Sequence, residues 1–147
     1  MQATRSLSVT LCVALLSACG AGTAIFADVS SEPQYQDLIG VNIRSNAELH
    51  IYGVTVDRNY ADVLAFYAVT GPPGVSGPEV LSSGTLPTGT SMAVLSVQEC
   101  TNCPFDHRVE VVVRLIGSNS YSEAPIRVPY SLVKSGMFSV SAASKGT

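Results

Sequence analysis

Charge is scarce in this 147-residue chain. Asp, Glu, Lys and Arg make up 13% of it, about half the usual share of a soluble domain. The eight Lys and Arg residues are scattered, so no basic stripe exists to neutralise phosphates, and nucleic acid is excluded as a partner. Histidine is scarcer still, with His50 and His107 alone. No paired carboxylates at useful spacing accompany them, so general acid–base catalysis has little to work with. There is no phosphate-cradling loop and no dinucleotide fingerprint. Gly74-Val75-Ser76-Gly77 lacks the residue that a nucleophile elbow needs between its serine and its second glycine. No enzymatic activity and no cofactor are expected. A long apolar run is also missing. The longest, Leu7 to Ala18, falls short of the roughly 20 residues that cross a bilayer as a helix.

That run is a leader rather than part of the fold. Met1 to Arg5 carries one positive side chain, and the apolar stretch ends in Leu16-Ser17-Ala18-Cys19-Gly20. These residues resemble the bacterial lipobox, which signal peptidase II cleaves before a Cys already carrying a diacylglyceryl group. All four lipobox positions fit. The resemblance implies a signal peptide over 1–18 and a lipidated Cys19 at the mature N-terminus. It implies a protein anchored to the membrane of the bacterial cell envelope. Each buried methylene contributes roughly 0.8 kcal/mol, and stable anchoring takes more than one acyl chain, which a diacylated Cys supplies. Gly20 in place of Asp favours the outer membrane, by analogy with the sorting signal of enteric bacteria. The competing reading is ordinary secretion with cleavage after Ala27, which would make the protein a soluble factor. Cys12 lies within the apolar run and has no visible role.

Residues 19–34 are rich in Gly, Ala and Ser and read as a flexible tether, whose root-mean-square reach is roughly 20–25 Å. A β domain is expected over 35–142, with a frayed tail at 143–147. Within the domain, His107 to Leu115 alternates with period two. Val109, Val111, Val113 and Leu115 share one face, and Arg108, Glu110 and Arg114 the other, where Val112 is the one apolar exception. Ala93, Leu95 and Val97 are expected to supply the matching face of the preceding strand. Further strands are read at 38–43, at 48–56 with a bulge at Gly53, and at 61–70 as a central strand, with a short helix as the alternative. An edge strand is read at 126–132 because of Pro129, and a last one at 137–142. Residues 71–79 form three collagen-like triplets, too few for a triple helix. They make a stiff Pro-Gly loop.

Six to eight short strands, turn signals between most of them and no convincing helix make the chain all-β, a small single-domain barrel or sandwich. Glu79 to Leu95, with its Leu81-Ser82-Ser83-Gly84-Thr85, resembles part of a bacterial SH3-like domain. In that family a strand, a Leu-x-x-Gly-Thr turn and a Val-rich strand follow one another. The resemblance implies an SH3-like barrel and, by fold analogy, binding of peptide or peptidoglycan. The Trp-Val strand usual in that family has no counterpart, because this chain has no Trp.

Cys100-Thr101-Asn102-Cys103 is the sharpest local motif. In an oxidising periplasm two Cys at this spacing pair, which would fix the turn. A redox-active pair wants its first Cys at a helix N-terminus, whereas strands flank this one. Cys100, Cys103 and His107 also form Cys-x-x-Cys-x-x-x-His, three potential metal ligands where structural zinc takes four. The function expected is non-enzymatic: a lipid-anchored envelope protein with a β-rich binding or structural domain. Its partners would be the membrane, through Cys19, and another envelope protein or peptidoglycan. The alternative is an envelope thiol–disulfide or metal-handling protein using Cys100 and Cys103.

Overall fold

A computed structural model describes residues 24–56, 59, 60, 62–103 and 107–141. The leader, Cys19 and the tail lie outside the described residues. Nine strands appear among those described: β1 (Phe26–Asp28), β2 (Asn42–Ser45), β3 (Leu49–Val54), β4 (Phe66–Thr70), β5 (Val80–Leu86), β6 (Ser91–Cys100), β7 (Val109–Leu115), β8 (Ile126–Pro129) and β9 (Phe138–Ser141). They form one sheet in the order β5-β3-β4-β8-β7-β6-β2-β9, and β1 also pairs with β6. Every pairing is antiparallel except β4 with β8, which is parallel. One short helix, α1 (Tyr130–Leu132), runs on as a wider turn over Val133–Met137, within which Gly136 takes φ 84°.

The chain is therefore all-β, but the sheet is open, with β5 and β9 at its edges, and it is not the closed barrel that the SH3-like resemblance implies. Leu81 to Thr85 is not a turn. It lies within β5, where a Cβ on Gly84 would come within 2.6 Å of the Tyr121 hydroxyl, so a larger residue there would have to displace that hydroxyl. The sheet nonetheless curls. Leu86 of edge strand β5 and Phe138 of edge strand β9 belong to the same apolar cluster as Ile43, Ile51, Val69, Met92, Val111 and Val128. Two edges reach one core only when the sheet bends around it. Burying each such side chain contributes roughly 1.5–3 kcal/mol.

β7 follows its period-two pattern, and Val111, Val113 and Leu115 are buried in the core. β6 departs from it. Val94 pairs with Val113 and Ser96 with Val112, so Leu95 is an extra residue opposite none. The bulge shifts the phase of the strand. Met92, Val94 and Val97 are buried, while Leu95 is 51% exposed, which corrects the expected Ala93–Leu95–Val97 face.

The 126–132 segment is corrected too. β8 lies between β4 and β7 and is central. Pro129 is tolerated because it is the last strand residue, facing Glu110, and its φ of −55° leads into α1. The strand read over 38–43 begins at Asn42, after a tight turn at Gln36–Leu38. The strand read over 61–70 narrows to Phe66–Thr70, with Val63 exposed. The irregularity near Gly53 is present as an extra β5 residue opposite Gly53 and Val54. Finally, the expected tether over 19–34 is structured from Phe26 onward. β1 pairs with the end of β6, and Val29 and Tyr35 are buried against Val97. Gly- and Ser-rich composition is overridden there by three apolar side chains and a free stretch of β6 edge.

Candidate functional site

β6 turns at its C-terminal end through the Cys100–Cys103 disulfide, whose Cα atoms stand 5.7 Å apart. His107 is almost fully exposed, its Nδ1 3.6 Å from a Glu99 carboxylate oxygen. His50 stands on β3 between Thr70 and Thr85. Both sulfurs are bonded to each other, and no cluster of three or more His, Cys, Asp or Glu residues able to hold a metal ion occurs among the described residues. Asp28, at the end of β1, accepts a hydrogen bond from the Ser30 backbone N–H. Bonds from Ser30, side chain first and then backbone, hold its carboxyl below the usual range.

Beside this turn the outer face of the sheet carries a buried polar cluster. Glu110 is 3% exposed. Arg108 Nε donates to its Oε1 at 2.8 Å and Arg127 Nη1 to its Oε2 at 3.3 Å. The Arg127 guanidinium lies between two rings, 4.7 Å from the centroid of Phe26 and 4.6 Å from that of Phe66, a cation–π sandwich. Five strands contribute, because Gln98 of β6 pairs in register with Glu110. Two buried atoms in this cluster, Arg127 Nε and Gln98 Oε1, have no hydrogen-bond partner. The sequence reading placed Glu110 on a polar face. The one signal against that was Val112 on the same side: it is 9% exposed, so that face of β7 is covered.

The second feature is a cleft of about 490 Å³ between β7 and the loop over 118–125. Leu95, Val112, Ala124 and Pro125 give it an apolar lining, with Arg114 and Glu123 as the charged groups. The bulge aims Leu95 here, as bulges beside binding sites commonly do. Tyr121, with φ 61°, packs edge-on against Tyr67 at 4.9 Å, and the Tyr67 hydroxyl donates to Glu123 Oε2 at 2.9 Å. Burial first, and then the Glu123 carboxylate, push the Tyr67 phenol above its ordinary value of 10.0. The folded state thus keeps this proton where the unfolded chain has lost it. The resulting stabilisation is complete below pH 10.0 and is lost as pH rises through the higher folded value. In urea titrations at increasing pH, stability should fall more steeply above that point for the wild type than for Tyr67→Phe. Parallel curves would refute the assignment.

The structure thus brings Cys100 and Cys103 together, and neither histidine joins them in a group able to hold a metal ion among the described residues. It adds two sites that were not anticipated, the Glu110–Arg127 cluster and the Leu95 cleft. No protein-family model, no curated protein and no solved structure matches this chain.

Proposed function

We propose that this is a lipid-anchored protein of the bacterial envelope whose β domain binds another envelope component without catalysing a reaction. Leu16-Ser17-Ala18-Cys19 supports the anchor. The Cys100–Cys103 disulfide supports an oxidising compartment, and Gly20 favours the outer membrane. The observation that carries the binding role is the placement of the cleft. β1, the described strand nearest Cys19 in the chain, pairs with the Cys100 end of β6. The cleft lies along the far half of β7, from Val112 to Leu115. A seven-residue strand is roughly 20 Å long, so the cleft sits toward the opposite end of β7 from the strand nearest the anchor, where a protein segment or peptidoglycan can reach it.

The test is fractionation of cells carrying Cys19→Ala, combined with a photo-cross-linking residue at position 95. The substitution is expected to release the protein from the membrane fraction and to stop cleavage before residue 19. Cross-linking from position 95 is expected to capture an envelope component, and from exposed position 63 to capture none. Wild-type membrane retention with cleavage still at residue 19 would refute the anchor. Equal capture from both positions would refute the cleft.

A further inference from the structure

We infer that the Cys100–Cys103 turn is a redox-sensitive clamp on the N-terminal strand. Ile25 is held by that turn. Its backbone N–H donates to Asn102 Oδ1 at 2.7 Å. Its carbonyl accepts the Thr101 N–H at 2.8 Å and the Thr101 hydroxyl at 3.2 Å. The ladder of β1 reaches only Gln98, Glu99 and Cys100, the residues leading into the same turn. Apolar burial adds little, since Ile25 is 60% exposed and no residue of β1 enters either apolar cluster. Phe26 alone packs, over Arg127 and Arg108. A segment with few buried apolar contacts, held mainly by hydrogen bonds near the surface, opens at the low end of a protein's local stabilities.

What lies under Phe26 favours opening. Arg127 Nε and Gln98 Oε1 are buried without partners, and a buried polar group left unmade is costly. Arg127 lies against the Phe26 ring, so lifting β1 opens a way for water to its Nε. The bond across the turn opposes this by holding Thr101 and Asn102 in place between two tied residues. A dithiol reductant removes that constraint. The S–S bond takes two electrons and two protons and becomes two thiols, while the dithiol closes into its own disulfide.

Opening the clamp moves the first firm attachment from Ile25 to Val29. Val29 is buried and donates its N–H to Val97 O at 2.9 Å, and the next residue, Ser30, accepts the Val97 N–H through Oγ at 2.9 Å. The span from Cys19 to the first attached residue then grows from six Cα–Cα steps to ten, a fully extended reach of roughly 20 Å becoming roughly 35 Å. This consequence for reach rests on Cys19 as the anchor, whereas the clamp does not.

Hydrogen exchange on the purified mature chain, oxidised and after dithiothreitol, tests the clamp without reference to lipid. With both thiols confirmed free, amides over 25–28 should exchange at least about tenfold faster, while Val111 to Val113 in the core keep their rates. Unchanged exchange over 25–28 would overturn the clamp. If the reduced chain unfolds altogether, Asn102→Ala decides, because it keeps the disulfide and removes the acceptor for Ile25. Faster exchange over 25–28 in that variant supports the clamp, and wild-type exchange overturns it.

Discussion

Glu110→Ala is expected to destabilise the domain by about 3 kcal/mol, the low end of what breaking a buried ion pair costs. The Glu110 side chain is 4% exposed and serves two arginines. Its removal leaves the Arg127 guanidinium held between Phe26 and Phe66 with its counter-charge gone and its Nε already lacking a partner. Arg108 is different. Its side chain is 47% exposed, so water takes over when the pair is broken from that side, and Arg108→Ala should cost under about 1 kcal/mol. For a domain of this size the first change lowers the melting temperature by at least about 10 °C and the second by a few degrees. Thermal melts of the two variants beside Glu110→Gln, which keeps acceptor and shape but not charge, make the comparison. Equal shifts for Glu110→Ala and Arg108→Ala would mean that the cluster is solvated and that its burial carries no energetic weight.

Val97→Asp is expected to abolish stable folding, and Leu95→Asp to leave it within about 0.5–1 kcal/mol of the wild type. The two residues are separated by one position, and an uninterrupted strand would place them on the same face. The bulge at Leu95 separates them instead. Val97 is fully buried with Val29 and Tyr35, so a carboxylate there would be desolvated with no partner. Leu95 is half exposed at the rim of the cleft, where a carboxylate stays hydrated. Soluble expression and circular dichroism melts read the difference. A folded Val97→Asp, or a Leu95→Asp that fails to fold, would place the phase shift elsewhere. Leu95→Asp has a second use, because it should weaken partner capture at the cleft without changing the fold.

Strand identity in the hairpin was legible in the sequence because it is a local property. Alternation in Val109 to Leu115 states which side chains are apolar and which side they share, and the core uses that face. The disulfide was legible for a similar reason, since two Cys three positions apart lie close along the chain itself. The Glu110 cluster was not. It takes side chains from β1, β4, β6, β7 and β8, which are neighbours only after the sheet has assembled.

All-β character and the inward face of β7 were determined by the amino-acid sequence itself, because propensity and periodicity act over a few residues. Only the tertiary structure decided that Leu95 is a bulge, that β8 is central rather than an edge, that the presumed tether supplies a strand, and that the sheet stays open. Each of those depends on which strand lies alongside. Pairing between segments far apart in the chain is selected by the total burial and hydrogen bonding of the assembled sheet. The parallel pairing of β4 with β8 illustrates this. It joins Tyr67 to Ile126 and Ala68 to Arg127 and makes an interior strand of a segment whose proline alone suggested the rim.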